Sequence, residues 1–271
     1  MSRTVLTLKR PPGLRIDLRG ITPTACAALG VAEVERLQVG MGNRYVALAE
    51  LFDVSRAESA IEELHLEGDL STCDRIGWQM EAGLLVARGN VGDHAGGCMR
   101  GGELRVQGDA GLLAACEMAG GVLDVAGSVG EFAASTLPGS MDGMRGGTFI
   151  VRGHAGARFA DRMRRGTALV FGDVGDFVAS RLVAGTVAIG GRCGIHPGHG
   201  MRRGSVVFAG AAPAVDPTFV PAQADAGVFW QLLARELARH GGPFAGLPQR
   251  RIERHLGDLG ADGKGELILA T

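Results

Sequence analysis

Two short segments carry residue types that could do chemistry. Cys193, His196 and His199 stand close together, at intervals typical of a zinc site. Cys193, however, takes a position that is Val or Ala in other copies of the repeat described below, which favours a packing role. Asp93 and His94 combine one acid with one His, without the third member that a catalytic triad requires. We keep Cys193, His196 and His199 as weak metal candidates and otherwise predict no metal and no catalytic residue.

Sequence motifs for other active sites are missing. The chain contains no GxSxG, HExxH or Walker pattern. Gly-x-x-Gly pairs are frequent, but no βαβ unit of about 30 residues surrounds them, so they do not indicate a dinucleotide site. We therefore predict that this chain binds no cofactor.

Arginines recur beside a column of methionines. The two positions that follow this column hold Arg100, Arg145, Arg164, Arg165, Arg202 and Arg203. Stacked copies would align these guanidinium groups along one edge, where they repel each other unless negative charges compensate. Asp142, Asp161 and Glu117 are nearby candidates for pairing. An acidic partner surface or an anionic ligand is the alternative, and both interpretations stay open.

A second column predicts a contact surface. The middle residue of each predicted strand points outward, and it becomes apolar in the later copies, at Ile150, Leu169 and Val207, with Phe171 on the same face. Contiguous outward apolar residues usually mark a protein partner. We predict a partner interface at these four residues; cover by the C-terminal helix of the same chain is the alternative.

These columns exist because the sequence repeats every 19 residues. One glycine column is spaced by 19 residues throughout, except for one step of 26: Gly83, Gly102, Gly121, Gly147, Gly166, Gly185 and Gly204. The five residues after each of these glycines are apolar at the second and fourth positions, which is the pattern of a strand with one buried face. Nineteen residues are too few for a strand–helix–strand crossover. The repeat predicts a parallel β-helix of about seven coils, with the methionines as a core ladder.

The composition excludes several classes of protein. Glycine makes up 45 of 271 residues, but it has no three-residue period, so the chain is not collagen-like. A hydrophobic content of 46% excludes disorder, and a net charge of −1 gives no reason to expect nucleic acid or membrane binding. The five cysteines form no CxxC pair, and no secretory leader or membrane span is recognisable, so we expect a cytoplasmic protein with reduced thiols.

The two flanks are expected to cover the open ends of the stack. We predict three regions: an N-terminal α/β cap over 1–62, the β-helix over 63–212, and a C-terminal extension over 213–271. In the cap, the pattern predicts strands at 34–39 and 45–54 with a turn at Gly42, and then a helix from Ser55 to about Glu63.

The C-terminal extension is predicted to hold one helix and one hairpin. The helix is expected to start at Asp225, to present Phe229, Leu232, Leu233 and Leu237 as one apolar stripe, and to end at Gly241. Two strands are expected at 250–259 and 266–270.

The repeats and both flanks carry a family resemblance. The Gly-x-x-Gly and Met-x-x-Gly units resemble the GXGXG β-helix domain of glutamate synthase large subunits. Together with the flanks, the chain resembles the family of formylmethanofuran dehydrogenase C subunits, and most of all its version in the formyltransferase/hydrolase complex of methylotrophic bacteria. The flanking segments that carry this resemblance are Gly42-Asn43-Arg44, 50–54, 67–70, 75–77, 257–259 and 263–268.

The resemblance implies a right-handed β-helix and a scaffold role. It implies a hetero-oligomer with a metal-dependent, amidohydrolase-like A subunit, a molybdopterin-enzyme-like B subunit and a formyltransferase D subunit, and two or more copies of each are expected. Such a complex transfers a formyl group from formyl-tetrahydromethanopterin to methanofuran or methylofuran and hydrolyses it to formate in formaldehyde oxidation. The resemblance places the catalytic residues on the other subunits, and it makes the anionic polyglutamate tail of the carrier a candidate ligand of the arginine column.

Three other interpretations are possible. The C subunit of an archaeal tungsten or molybdenum formylmethanofuran dehydrogenase shares the same fold and flanks. A stand-alone β-helix enzyme, such as a polysaccharide lyase, would need a carboxylate cluster on one sheet, which the mixed outer positions do not provide. A glutamate-synthase-like domain is disfavoured because no amidotransferase or flavin-binding region accompanies it.

Overall fold

The computed structural model describes residues 1–222 and 226–271, which form a mainly β protein. The strands are β1 Ser2–Leu8, β2 Ile16–Asp17, β3 Gln38–Met41, β4 Arg44–Ala47, β5 Phe52–Glu58, β6 Glu63–Glu67, β7 Cys73–Asp74, β8 Leu84–Arg88, β9 Glu103–Val106, β10 Val122–Val125, β11 Thr148–Val151, β12 Thr167–Val170, β13 Thr186–Ile189, β14 Ser205–Phe208, β15 Val220–Pro221, β16 Ile252–Gly257 and β17 Gly265–Ala270. The helices are α1 Pro23–Ala27, α2 Val31–Glu35, α3 Leu48–Leu51 and α4 Gly227–Ala238, with short 3₁₀ turns at Gly242–Phe244, Leu247–Gln249 and Leu259–Ala261.

Within the described residues, 13 strands form one large sheet. Its order is β15-β16-β17-β14-β13-β12-β11-β10-β9-β8-β6-β1-β5. From β6 to β14, neighbouring strands are parallel, and from β8 they follow one another at the period of the repeat, so that Leu104 lies beside Leu123 and Leu123 beside Phe149. The prediction of a mainly β chain whose repeats stack as parallel strands is confirmed.

The repeats also touch along a second line. Single β-bridges join equivalent residues of successive repeats, in the order Leu70, Val91, Ala110, Val129, Ala155, Val174 and Cys193. Side chains from the strands and from the methionine column fill the space between this line and the sheet. Met118, Met144 and Met163 are fully buried there, as are Leu104 and Leu123. The predicted core ladder of methionines is confirmed.

Glycines are needed where repeats turn and where they approach each other. Gly166, in the column that precedes the strands, has φ +95°, a conformation that side chains disfavour. Gly156 is required for a different reason, because a Cβ there would lie 2.7 Å from the amide N of Glu131 in the preceding repeat. Both demands recur in each repeat and explain the high glycine content.

A column of polar side chains, which the sequence pattern did not predict, links successive repeats. The Asp93 side chain accepts a hydrogen bond from the N–H of Leu112 at 2.9 Å, and Asp173 accepts one from the N–H of Arg192 at 2.7 Å. Each bond spans 19 residues, one full repeat. These bonds satisfy backbone donors at corners that have no strand partner.

The N-terminal segment differs from the prediction. Of the residues expected to form a helix from Ser55 to Glu63, residues 55–58 end β5, which pairs antiparallel with β1 along its whole length, and Glu63 begins β6. Pairing of seven residues satisfies more backbone groups than a short isolated helix would. The strand predicted at 34–39 is split into α2 and β3, and the one predicted at 45–54 is interrupted by α3. The turn at Gly42, which has φ +61°, is confirmed.

The C-terminal hairpin continues the stack. β17 pairs parallel with β14 and antiparallel with β16, so the predicted pair of strands is confirmed, with β17 added as the next strand after the last repeat. The predicted helix start at Asp225 lies outside the described residues, and α4 runs over Gly227–Ala238.

Candidate functional site

The arginine column runs along one edge of the stack. The backbone N–H of Arg145 donates to Met118 O, that of Arg164 to Met144 O, and that of Arg202 to Leu182 O. Arg164 therefore sits one repeat above Arg145, and Arg202 sits two repeats above Arg164, with Val183 on the repeat between them. We call each such level a rung. Stacked strands are about 4.8 Å apart, so the column places side chains at regular intervals.

The column forms one wall of a cleft of about 780 Å³. The C-terminal hairpin closes one end of the cleft, because Lys264 N donates to Arg202 O at 2.7 Å and adds a further rung. We call this site the cationic cleft, and its lining residues are Asp142, Arg145, Arg164, Arg165, Val183, Ala184, Arg202, Arg203, Ala261, Asp262 and Lys264.

Positive charge dominates the cationic cleft. Six of its side chains are cationic and two are carboxylates, although the whole chain has a net charge of −1. Two of the predicted ion pairs form at one end of the cleft: Arg164 Nη1 lies 2.8 Å from both carboxylate oxygens of Asp142, and Arg145 lies 3.4 Å from Glu117. The compensation that the sequence suggested is therefore real, but it serves only part of the column.

The remaining cations of the cleft have no such compensation. No carboxylate of residues 1–222 or 226–271 lies within 4.0 Å of the side chains of Arg165, Arg202, Arg203 or Lys264. All four side chains are exposed. Like charges that face one open space raise the electrostatic potential there and attract anions.

One of the predicted arginines lies outside the cationic cleft, and one lysine that was not predicted lines it. Arg100 does not line the cleft; it pairs with Glu81 at 3.0 Å, two rungs below Arg145. Lys264 was not predicted as a site residue. The sequence does hold one sign of this role, because Lys264-Gly265 precedes an apolar strand in the same way as Arg203-Gly204 precedes β14. Lys264 lies beyond the last repeat, however, so the 19-residue period does not include it.

The predicted partner interface is wrong. Ile150, Leu169 and Val207 are 0–7% exposed, and they form one cluster with Trp230 and Leu237 of α4. Phe171 packs against this cluster, edge-to-face on Phe244 at 5.2 Å between ring centroids. The outward apolar column is thus a second core between the sheet and the C-terminal extension, because the chain's own helix provides the cover that the alternative interpretation required.

The helix that covers this column buries Leu237 and packs Leu233 against the cluster as predicted, but it leaves Phe229 and Leu232 of the predicted stripe exposed. Trp230, Ala234 and Leu237 are buried against the sheet, whereas Leu232 is 65% and Phe229 43% exposed. Trp230 is fixed further by its Nε1–H, which donates to Arg250 O at 3.2 Å. The apolar stripe was misjudged because Trp230 and Ala234, rather than Phe229 and Leu232, face the sheet.

The weak metal candidates do not converge. Cys193 continues the line of bridges after Val174, and burial raises the pKa of its thiol to about 12, which opposes thiolate formation. His196 contacts the Asp216 carboxylate at 3.0 Å and packs at a tilt against the Phe177 ring, and its ring centroid is 6.3 Å from that of His199. Within residues 1–222 and 226–271, no three His, Cys, Asp or Glu side chains are arranged to hold a metal ion.

The Asp93–His94 pair serves the stack. Asp93 binds the N–H of Leu112, and its other oxygen lies 3.0 Å from Arg15. Burial lowers the pKa of His94, whose ring contacts Trp78 edge-to-face. Asp93 is thus engaged in hydrogen bonding and His94 in ring packing, with His94 Nδ1 buried and without a hydrogen-bond partner among the described residues. In addition, no helix of the described part of the chain is long and apolar enough to cross a membrane.

Curated relatives match part of this chain. No family model matches it. The C subunit of the tungsten-containing formylmethanofuran dehydrogenase 2 of Methanothermobacter wolfeii is 32% identical over 99 residues. The C subunit of the formyltransferase/hydrolase complex Fhc of Methylorubrum extorquens is 38% identical over 78 residues. These matches cover 35% and 29% of this chain, and 37% and 29% of the relatives' own lengths.

A solved structure matches this chain from end to end. A chain in the formyltransferase/hydrolase complex (FhcABCD) from Methylorubrum extorquens in complex with methylofuran superimposes with a TM-score of 0.90 at 34% identity. The match covers 98% of this chain and 99% of that chain. Similarity of this extent includes both flanks as well as the repeats, and it agrees with the names of the curated relatives. The chain therefore belongs to the family of formylmethanofuran dehydrogenase C subunits, which includes the C subunit of the formyltransferase/hydrolase complex.

Proposed function

We propose that this chain is the structural C subunit of a formyltransferase/hydrolase complex and assembles with the A, B and D subunits. The observation that carries the proposal is the end-to-end match, at 34% identity, to a chain of the FhcABCD complex. The proposed complex transfers the formyl group of formyl-tetrahydromethanopterin to methanofuran or methylofuran and hydrolyses it to formate. The A subunit would hold the metal, and the C subunit would supply no catalytic group.

The scaffold role fits the chemistry of the described residues. Polar side chains at the repeat corners bind backbone groups of the next repeat, and the buried thiol of Cys193 is poorly suited to nucleophilic chemistry. The cationic cleft is open to a partner, and it offers charge and shape rather than an acid–base pair. We assign it to an anionic partner or ligand.

We also infer that the stack is a parallel β-helix of about seven coils, right-handed as the family resemblance implies. The two lines of contact between successive repeats support this inference: the parallel strands of the large sheet and the single bridges from Leu70 to Cys193. The three predicted regions, 1–62, 63–212 and 213–271, remain our proposal for its organisation.

Affinity purification of the tagged full chain from its host tests the assembly. We expect three further chains, identified by mass spectrometry as the A, B and D subunits. The purified complex should release formate from formyl-tetrahydromethanopterin when methylofuran is present. Recovery of the tagged chain alone, at the salt concentration of the cytosol, would contradict the proposal.

One second candidate function has a specific observation in its favour. The C subunits of tungsten-containing formylmethanofuran dehydrogenases of Methanothermobacter are 32–33% identical to this chain over 99 residues. Elemental analysis of the purified complex separates the two candidates. Tungsten or molybdenum in a fixed ratio to the B subunit supports the dehydrogenase, and their absence supports the formyltransferase/hydrolase complex.

A further inference from the structure

A second pocket, of about 460 Å³, opens beside the insertion in the repeat register. Its lining includes Leu113 and Phe132, which hold equivalent corner positions in successive repeats, and residues 136–141. The two corners stack directly, because the N–H of Leu113 donates to Glu131 O at 3.0 Å. We call this site the corner pocket. In the described part of the chain it shares no lining residue with the cationic cleft.

Large apolar side chains around the corner pocket are exposed. Met141 is 70%, Leu112 47% and Phe132 36% exposed, and Leu112 adjoins the lining residue Leu113. Grouped apolar side chains on a surface usually mark a contact with another protein. A small-molecule site encloses most of its ligand, whereas these side chains continue the apolar surface beyond the pocket. The surface therefore favours a protein partner over a small ligand.

The backbone conformation of the corners makes large residues there unusual. Leu113 has φ +59° and Phe132 has φ +58°, in the left-handed region that bulky side chains rarely adopt. The corner geometry alone would favour glycine or asparagine at these positions. Residues held in disfavoured backbone conformations are concentrated at functional sites. A contact made by these two side chains gives a reason for their presence.

The charges inside the corner pocket are paired, except for that of Arg162. The Asp161 carboxylate is 2% exposed and accepts hydrogen bonds from Ser180 Oγ at 2.6 Å and Arg181 Nε at 2.9 Å. Arg162 has no carboxylate of the described residues within 4.0 Å, and its Nη1 lies 2.7 Å from Met141 Sδ. The pocket thus combines apolar walls with one guanidinium group that can bind a carboxylate.

A second cation lies next to the pocket. The Arg158 guanidinium packs over the rings of Phe132 and Phe177, at 5.9 Å and 5.0 Å from their centroids. It too has no carboxylate of the described residues within 4.0 Å. Complementary charges across an interface orient the partner and exclude wrong ones. A partner segment that fits this surface therefore carries a large apolar side chain with a carboxylate close to it.

We propose that the corner pocket docks a loop of a protein partner, which inserts one large apolar side chain beside Phe132 and Met141 and pairs a neighbouring carboxylate with Arg162. A side chain that fills a pocket commonly provides a large part of the binding energy of an interface. The proposal deepens the proposed function and rests on it in one respect, because it assigns a contact surface to the assembly. It requires no catalytic step.

Photo-crosslinking in the host tests the contact. The tagged full-length chain carries Leu112→p-benzoylphenylalanine, the cells are irradiated, and adducts are purified through the tag under denaturing conditions. We expect an adduct with a different protein, attached at a peptide that has a large apolar residue within two positions of Asp or Glu. The absence of an adduct, attachment to a second copy of this chain, or attachment at a peptide without that pair would overturn the proposal.

Two substitutions of Met141 test the chemistry of the pocket. Met141→Glu places a carboxylate beside Arg162, where it competes with that of the partner, so the adduct yield should fall about tenfold. Met141→Leu retains the apolar rim and should keep the yield within about twofold. Val228→Glu is the matched control, because Val228 is also apolar and exposed but lies outside the pocket, and the yield should stay unchanged. Equal yields from all three variants would contradict the assignment, and thermal unfolding checks that each variant is folded.

The outcomes separate this inference from the proposed function. An adduct of the expected kind with the A, B or D subunit supports both. The same kind of adduct with another protein supports the corner pocket and counts against the proposed function. If the A, B and D subunits co-purify with the unaltered chain but no adduct forms, the corner pocket alone is overturned.

Discussion

Arg164 and Asp142 form the ion pair that limits the cationic cleft at one end, with Nη1 2.8 Å from both carboxylate oxygens. Asp142 belongs to the only insertion in the 19-residue register, so the chain itself supplies a carboxylate to a column of arginines. A carboxylate of the chain that occupies one arginine competes with any external carboxylate for the same donors.

The first prediction follows from this competition. The substitution Asp142→Asn frees Arg164 and removes one negative charge from the cleft, so a fluorescent hexaglutamate peptide, used as a generic anionic probe, should bind about two- to fivefold more tightly. Anisotropy titration at low salt measures the change. Asp109→Asn is the control: Asp109 lies outside the cleft, and its substitution should leave the affinity unchanged. Weaker binding after Asp142→Asn would show that Asp142 helps to form the site.

The contact of α4 with the sheet leads to the second prediction. Trp230 is 4% exposed and is part of the cluster that contains Leu169 and Val207. Trp230→Ala should lower the free energy of unfolding by about 3–5 kcal/mol, because it leaves a cavity in this second core. Urea denaturation measures the loss. Leu232→Ala, on the exposed face of the same helix, should change stability by no more than about 0.5 kcal/mol. Similar losses in both variants would contradict the assigned orientation of α4.

The third prediction concerns the polar column between repeats. Asp173 accepts a hydrogen bond from Arg192 N–H at 2.7 Å, and this bond lowers the pKa of its carboxyl group. Asp173→Ala removes the acceptor and should lower the urea midpoint of unfolding. Asp173→Asn retains a side-chain oxygen at the same place and should lower the midpoint less. If alanine and asparagine destabilise equally in urea denaturation, the hydrogen bond to the backbone is not the cause.

The fourth prediction concerns acid stability. Hydrogen bonds from Arg3 and Ser59 lower the pKa of Glu63 from its ordinary value of 4.5 to about 2, and His65 lies 3.0 Å from the same carboxylate. Because folding favours the ionised form of Glu63, this group stabilises the fold fully above about pH 4.5 and loses its effect as the pH falls towards 2.

Urea midpoints of the unaltered chain and of Glu63→Gln at several pH values test this dependence. The unaltered chain should be the more stable near pH 6, and the difference should shrink at about pH 3. The matched control is Glu58→Gln, an exposed residue at the end of β5, which should show no such convergence. A difference that stays constant with pH would show that Glu63 contributes by packing alone.

Local signals in the sequence determined the repeating part of the protein. The glycine column at Gly166 and its equivalents, the apolar alternation of residues such as Leu104 and Val106, and the buried methionines are set by the neighbours of each residue in the chain and in the next repeat. A fixed 19-residue period makes these contacts predictable, because each repeat meets copies of itself. For the same reason, the arginines of successive repeats could be expected along one edge.

Only the tertiary structure decided what the two flanks contribute. The residues from Ser55 onward carry a helix-start signal, but they pair with β1, about 50 residues earlier in the chain, because the edge of the sheet needs a partner. In the same way, α4 covers Ile150 and Leu169, and Lys264 extends the cationic cleft. These contacts join segments outside the repeat register, so no spacing in the sequence specifies them, and they determine which surface is core and which remains open to a partner.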